Sequence, residues 1–395
     1  MDELPNLLQL RAFVRVAELG SVTQAAQTLF RAQSVVTRAL AGLERQLAVS
    51  LFEREAQGMR LTDPGRRLLV RARRVFAELA QVPRRRDSGS GEPLYLMQTR
   101  RLQLFASLCR QGHMPSVARQ FGLSQPAVSA ALKALEQGCG QVLFERTPRG
   151  LRPTPGNAAV ALPIRRALNE LRHLLADLHA ERGEVRGVVR IGALPLGRTR
   201  LLPDAIVQVT RRHPQLRVMT DESPFDHLAL ELRAGDLDFI FGALRSTAAG
   251  EDLESEALLT EQLVILARAD HPLAAGPARL ETLVGAGWIL PRLGSPSRAL
   301  VEASFRSRGL PSPVAIVESG DLAIIRGVLL GSDLLAAVSA HQLQFELEAQ
   351  TLCQLATLSN SARPLGLIYR KDTLPSPPAA AFMQALREAV TPGDS

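Results

Sequence analysis

Two short runs, Gln33-Ser34-Val35-Val36-Thr37-Arg38 and Ser124-Gln125-Pro126-Ala127-Val128-Ser129, hold the residue types in this chain that most directly suggest chemistry. A glutamine amide bonds bidentately to a base edge, an arginine to guanine, and short hydroxyls reach bases or phosphates. Placed at the start of a helix, such side chains can enter the major groove of duplex DNA. Each run is followed by Leu-Phe-Glu-Arg, at 51–54 and 143–146, and then by a glycine-bearing segment ending at Arg60-Leu61-Thr62 or Arg152-Pro153-Thr154. A two-stranded wing there would lay Arg54 and Arg60, or Arg146, Arg149 and Arg152, along the phosphates. One glutamine on a helix is usually decoration; the whole constellation occurring twice argues against that.

The elements that must position these residues follow from an internal repeat. An offset of 92 residues pairs Phe13 with Phe105, Gly20 with Gly112, Gln33 with Gln125, Glu44 with Glu136, Gly58 with Gly150 and Thr62 with Thr154. In the first copy, Leu10, Phe13, Val14 and Ala17 predict a helix ended by Gly20. Ser21 then caps a second helix from Val22 to about Leu29. A turn at Phe30-Arg31-Ala32 leads to a third, from Gln33 to about Gln46. The second copy opens its second helix at Pro115-Ser116, turns at Phe121-Gly122-Leu123 with Gly122 at positive φ, and caps its third helix with Ser124. Gln137-Gly138-Cys139-Gly140 is expected to weaken the end of that helix. Each copy therefore reads as a helix-turn-helix with a wing.

Charge divides the chain. Residues 1–186 carry 28 Lys+Arg against 16 Asp+Glu, and residues 187–395 carry 19 against 23, so a basic front half precedes a mildly acidic rear half. That suggests a polyanion-binding module joined to something else. Only Lys133 and Lys371 are lysine, a bias that reads as codon usage, so little weight rests on arginine as such. No run nears the roughly 18 apolar residues of a membrane span. The opening MDELPNLLQLRAF lacks a basic segment followed by an apolar one, so a cytoplasmic protein is expected. Cys109, Cys139 and Cys353 are scattered and odd in number, which predicts neither a disulfide framework nor a zinc site.

Leu123-Ser124-Gln125-Pro126-Ala127-Val128-Ser129, Ala134-Leu135-Glu136 and Leu143-Phe144-Glu145-Arg146 resemble the winged helix-turn-helix of LysR-type transcriptional regulators. The first copy is similar through Phe13, Gly20, Ser21, Ala25-Ala26, Leu43-Glu44, Leu51-Phe52-Glu53-Arg54 and Leu61-Thr62-Asp63-Pro64-Gly65. It departs at Phe30-Arg31-Ala32 and Ser34; the second copy departs at its glycine-bearing helix end and at Ala130, where the family often has a basic residue. The resemblance implies that the helix after each wing is a linker helix that pairs antiparallel with another to form a dimer. Here both fall in one chain. An 18-residue first linker helix spans roughly 27 Å, and the connector QVPRRRDSGSGEP adds a reach of roughly 20–25 Å. The two helices could then pair within the chain and set the recognition helices about one DNA turn (~34 Å) apart. Pro163 is expected to kink the second linker helix or delay its start. The expected organisation is winged helix-turn-helix one at 4–63, linker helix one at 64–81, connector 82–94, winged helix-turn-helix two at 95–155, linker helix two at 156–182 and an α/β domain at 187–392.

From Gly187 short apolar runs alternate with helices: strands at 188–192, 216–220, 237–242, 263–267, 288–290, 315–317, 334–338 and 365–369, helices at 203–213, 225–234, 298–308 and 322–330. This predicts a mainly parallel α/β sheet, split into two lobes by the interruption at 268–288 and a return near 360–372. The resemblance implies a periplasmic-binding-protein-like effector domain of two Rossmann-like lobes. Ligands sit beyond the carboxyl ends of such strands. The candidates there are Leu194, Pro195, Arg198, Thr199, Gly242, Ser295, Ser297, Glu318 and Ser319. Ser295 and Ser297 open a helix whose free N–H groups suit an anion; Trp288-Ile289-Leu290-Pro291 followed by Gly294-Ser295 is similar to the branch of the family that responds to sugars or aromatic-catabolic acids, and that resemblance implies an acidic or sugar-like effector.

No Walker, dinucleotide-binding, metalloprotease or nucleophile-elbow motif is present, so neither a catalytic residue, a metal nor a cofactor is expected. His173 and His179 lie six apart, off one helical face; His113 falls in an expected loop and His271 precedes a proline. The expected function is a cytoplasmic, sequence-specific DNA-binding transcription regulator tuned by a small-molecule effector. Its expected partners are double-stranded DNA, the effector and itself, as a homodimer or tetramer, and no membrane. The alternative is a non-specific architectural DNA binder whose α/β half only oligomerises; a solute-binding protein would want a leader segment. Footprinting separates the first two, since only the regulator protects a discrete site that responds to a small molecule.

Overall fold

The computed structural model describes residues 3–55, 58–85, 93–181, 183–245, 252–276 and 278–390. The first repeat unit is α1 (Leu7–Leu19), α2 (Val22–Thr28), α3 (Gln33–Leu47) and a hairpin of β1 (Phe52–Glu55) and β2 (Gly58–Leu61), followed by α4 (Asp63–Ala80). The second is α5 (Thr99–Gln111), α6 (Met114–Gln120), α7 (Gln125–Cys139), β3 (Phe144–Thr147) and β4 (Gly150–Pro153), followed by α8 (Asn157–Ala180). The repeat extends to single bonds. Glu44 Oε1 accepts from the Leu51 amide and Glu136 Oε1 from the Leu143 amide, both at 2.8 Å. Each wing is pinned to the end of its first helix, Met59 N donating to Gly20 O at 2.9 Å and Leu151 N to Gly112 O at 2.7 Å. Gly58 and Gly150 are needed there: a Cβ on either would lie 2.5 Å from that glycine's carbonyl oxygen, at a φ above +120°.

Three local expectations change. α6 begins at Met114, because the His113 ring caps it by accepting from the Ser116 amide, so His113 is not a plain loop residue. α7 runs intact to Cys139; Gly138 is small because the Tyr95 ring lies where its Cβ would be. α8 starts at Asn157 without delay and takes Pro163 into its buried interior. Of the connector, residues 86–92 lie outside the described residues; its near end packs on copy two, with Arg85 N donating to Gly138 O at 3.4 Å.

α4 and α8 run antiparallel along each other: Arg67 pairs with Glu181, Arg71 with Asp177 and Glu170, and Arg74 with Glu170. Leu68, Ala72, Val75 and Leu79 of α4 join Ala167, Leu171, Leu174 and Leu178 of α8 in one core that continues into both winged units. At about 25 cal/mol per Å² of apolar surface, such side chains contribute roughly 1.5–3 kcal/mol each when fully buried.

The rear half holds two five-stranded sheets. The first is ordered β6-β5-β7-β14-β8, from β5 (Gly187–Ala193), β6 (Leu216–Asp221), β7 (Phe239–Ala243), β8 (Leu253–Glu261) and β14 (Arg363–Arg370), with α9 (Leu201–Arg212), α10 (Phe225–Arg233) and α15 (Pro377–Val390). The second is β11-β10-β12-β9-β13, from β9 (Leu263–Arg268), β10 (Trp288–Leu290), β11 (Ala315–Glu318), β12 (Leu335–Ser339) and β13 (Leu352–Thr357), with α11 (Leu280–Leu283), α12 (Pro296–Arg306), α13 (Leu322–Gly331) and α14 (Gln344–Glu348). Among the described residues only the β5–β6, β5–β7, β10–β11 and β10–β12 ladders are parallel. The sheets are therefore mixed, not mainly parallel, because each lobe is completed by strands that arrive from the other and pair antiparallel. The chain crosses between lobes at Glu261–Leu263 and at Leu358–Arg363; the 268–288 interruption lies inside the second lobe.

Candidate nucleic-acid interface and effector cleft

The starts of α3 and α7 are open to solvent. Gln33, Ser34, Thr37 and Arg38 are exposed, as are Ser124, Gln125 and Pro126, while Ser129 is half-buried. Val36, Leu40 and Leu43, and Val128, Leu132 and Leu135, hold the opposite faces in the core, so the polar faces can only point outward. The Thr37 hydroxyl donates to Gln33 O at 3.0 Å, and Arg38 Nε to Ser34 O at 3.2 Å, which draws that guanidinium towards the helix start. Ser124 accepts from the Ala127 amide at 3.4 Å and Pro126 occupies the first turn; Ala32, at the matching position, provides no cap. On the wings Arg54, Arg60, Arg146, Arg149 and Arg152 are all exposed, and Arg60 pairs with Glu55 at 3.0 Å.

Behind this face, α4 and α8 dock on the first lobe through a charged junction. Arg71, 1% exposed, donates from Nε to Asp177 at 2.7 Å, from Nη1 to Glu170 at 2.9 Å and to Leu374 O at 2.7 Å, and from Nη2 to Pro375 O at 3.0 Å. Burial works against its charge, but Asp177 and then Glu170 outweigh it and raise its pKa. Glu170 is opposed by burial as well, yet Arg71 and Arg74 hold its carboxyl below the usual range. His173 Nε2 meets Asp238 at 3.0 Å, and Arg165 binds Asp236 and Glu231, so both α8 residues are structural. Arg71 lies on the same helical stripe as the buried Leu68, Ala72 and Val75, so a charge on an apolar stripe was the available signal in the sequence.

The remaining candidates lie on loops and helix starts of the two lobes. Arg198 donates to Ala193 O at 2.7 Å and Glu222 O at 2.9 Å, and half-buried Thr199 follows it, next to exposed Pro195. The Leu194 side chain belongs to the core and fills the space beside Gly242, where a Cβ would lie 2.4 Å from it; neither offers a side chain to a ligand. Ser295 caps α12, and Ser297 accepts from Arg363 Nη1 at 2.8 Å across the lobes. Ser319 shapes its own loop by accepting from the Asp321 amide, and Glu318 is exposed at the end of edge strand β11. Three residues missed in the sequence lie at the lobe crossing: Arg363, Arg245 and Glu261. Burial, and then the nearby Arg245 guanidinium, lower the pKa of Arg363. Glu261 is 6% exposed with neither carboxylate oxygen hydrogen-bonded among the described residues, and burial pushes its pKa up against Ser339, His341 and Arg363. Among the described residues no cluster of side chains could hold a metal ion, and no helix is long and apolar enough to cross a membrane.

Residues 7–66 and 99–156 each match the family described as "Bacterial regulatory helix-turn-helix protein, lysR family", and residues 182–391 match "LysR substrate binding domain". The chain is 58% identical over 390 residues, 98% of each protein, to the HTH-type transcriptional regulator GalR of Pseudomonas putida. It is 31% identical over 297 residues to the HTH-type transcriptional regulator GbpR of Azospirillum brasilense, covering 74% of this chain and 86% of that one. In fold it is similar to a full-length OxyR variant from Pseudomonas aeruginosa, with a TM-score of 0.57 and 22% identity over 75% of this chain and 96% of that one. The LysR family regulator CbnR gives a TM-score of 0.53 and 22% identity over 74% of this chain and 99% of that one. Nearly whole solved relatives thus account for about three quarters of this chain, which carries a helix-turn-helix match twice. The chain belongs to the LysR family of DNA-binding transcriptional regulators, with two winged helix-turn-helix units ahead of one two-lobed effector-binding domain.

Proposed function

We propose that this regulator reads duplex DNA with both of its own winged units, held in place by the α4–α8 pair, and that a small molecule in the cleft between the lobes adjusts that binding. The antiparallel α4–α8 pairing inside one chain carries the reading, since it occupies the surfaces that would otherwise call for a second copy. The DNA-facing set is Gln33, Ser34, Thr37, Arg38, Arg54 and Arg60 with Ser124, Gln125, Pro126, Ser129, Arg146, Arg149 and Arg152. The effector is an anion that also bears hydroxyl groups. Arg198, Arg245, Arg363 and the α12 start with Ser295 and Ser297 suit the anion, and the buried Glu261 carboxylate suits hydroxyl donors.

The protein works in the cytoplasm beside the chromosome, performs no catalysis and associates with itself through its effector domains. CbnR has been solved in complex with its target DNA, which supports duplex DNA as the partner here. Footprinting of the full chain on its own upstream DNA, with and without hydroxylated carboxylic acids, tests the reading. A discrete protected site that shifts with one such acid is expected; uniform protection indifferent to every compound would overturn it.

A further inference from the structure

The two units share a fold but not a DNA-facing chemistry. At matching positions, α3 presents Ser34, Val35, Thr37 and Arg38 where α7 presents Pro126, Ala127, Ser129 and Ala130. Arg38 is exposed, and its Nε donates to Ser34 O on its own helix, leaving Nη1 and Nη2 for a guanine edge. Copy two keeps Gln125, the partner of Gln33, but has no arginine in the first two turns of α7: a ring and two methyls face outward beside that glutamine, and its nearest cation, Lys133, comes a turn later.

The wings are unlike in the opposite sense. In copy one Glu55 pairs with Arg60 at 3.0 Å, and Ala56-Gln57, between them in the sequence, carry no charge. In copy two Thr147 replaces that glutamate and turns its hydroxyl onto Gly150 O at 3.0 Å, so no carboxylate holds Arg152 there. Arg146, Arg149 and Arg152 are all exposed, and none is ion-paired among the described residues. Bases are discriminated by side chains that reach their edges, whereas a free wing arginine adds phosphate contact without sequence information.

The geometry points to a division of labour: copy one selects bases, copy two grips the backbone, and the chain binds a non-palindromic site in one fixed orientation. A homodimer built from one kind of unit favours two like half-sites. Here α4 and α8 place one unit of each kind side by side, so the asymmetry is covalent. The inference rests on the reading that both units meet DNA.

Selection of high-affinity duplexes from a random pool with the full chain tests it, followed by competition with single-base variants. The expected consensus has one half-site where a base change weakens binding about 10–100-fold and another where changes cost less than about 10-fold. Arg38→Ala should flatten the strong half alone. Arg149→Ala and Arg152→Ala should weaken binding to all sequences alike and reduce the salt slope by about 1 each. Grafting Pro126→Ser, Ala127→Val, Ser129→Thr and Ala130→Arg together should turn the consensus into two like half-sites. A palindromic consensus for the unaltered chain, or a graft that leaves the consensus unchanged, would overturn the inference alone. No binding to any duplex at low salt would overturn the DNA reading itself.

Discussion

Replacing Arg71 with methionine tests how the DNA-facing half is held to the effector domain. Methionine fills much of the same volume, so the change removes charge and donors rather than packing. Four hydrogen bonds of 2.7–3.0 Å disappear, two to carboxylates and two to the carbonyls of Leu374 and Pro375. Glu170, 3% exposed, is left with Arg74 at 3.1 Å as its nearest cation. Summing charge-assisted bonds at about 1.5–3 kcal/mol each would overshoot, because Arg71 itself regains solvation on unfolding. Removing one partner of a buried pair costs about 3–5 kcal/mol, mostly from the carboxylate left behind. For a unit of about 150–250 residues that is a fall in Tm of about 6–20 °C. A double-mutant cycle with Glu170→Gln isolates the pair: the doubly altered chain should recover about 1–3 kcal/mol of the summed losses. Thermal and urea unfolding of the four chains provide the numbers. A loss below about 1 kcal/mol for Arg71→Met, or a cycle additive to within about 0.5 kcal/mol, would refute the junction as the fastening.

Phe30→Gly should stabilise the first unit by up to about 1 kcal/mol in urea unfolding. Phe30 is 92% exposed at a φ of +52°, where its repeat partner is Gly122, so the ring has little contact to lose and the backbone has strain to release. Gly150→Ala should cost about 1–3 kcal/mol and loosen the second wing, measurable as lost amide protection at Leu151, because its Cβ would meet the Gly112 carbonyl. Glu261→Gln should stabilise the free protein at neutral pH by about 1–2 kcal/mol. Since its folded pKa is raised, that gain should fade as pH falls and the native carboxyl takes up a proton; a gain that grows on acidification would contradict the assignment. Glu170 and Asp238 are held below their ordinary values, Asp238 against burial by His173. The stability they contribute is present above about pH 4–5 and lost as pH falls through their folded pKa values, so thermal scans from pH 6 to pH 2 should show it declining below about pH 4.

How much could be read beforehand depended on the range of the interactions involved. Gly20, Ser21, Ser124 and Gly122 are local signals, decided within one helical turn, and they sit where the caps and turns are. The offset of 92 residues made each helix-turn-helix visible twice. β8 and β13 were passed over because both are edge strands, half solvated and without a clear alternation: LESEALLTE and LCQLAT. α15 escaped notice too, although Phe382 and Leu386 bury it against the first sheet. At the lobe boundary, Ser295 and Ser297 were legible from their place at the start of a helix. Glu261 and Arg363 were not, since they become neighbours only when strands about a hundred residues apart pair in register.

By itself the sequence determined a twice-repeated helix-turn-helix with a wing, a basic front and an α/β rear, because periodicity, caps and composition act over a few residues. Only the tertiary structure decided that α4 lies against α8 of the same chain, that Arg71 is buried between them, and that the lobes exchange strands at 261–263 and 358–363. Those outcomes depend on burying apolar faces and pairing charges far apart in the chain, and no local pattern specifies which distant partner will supply them.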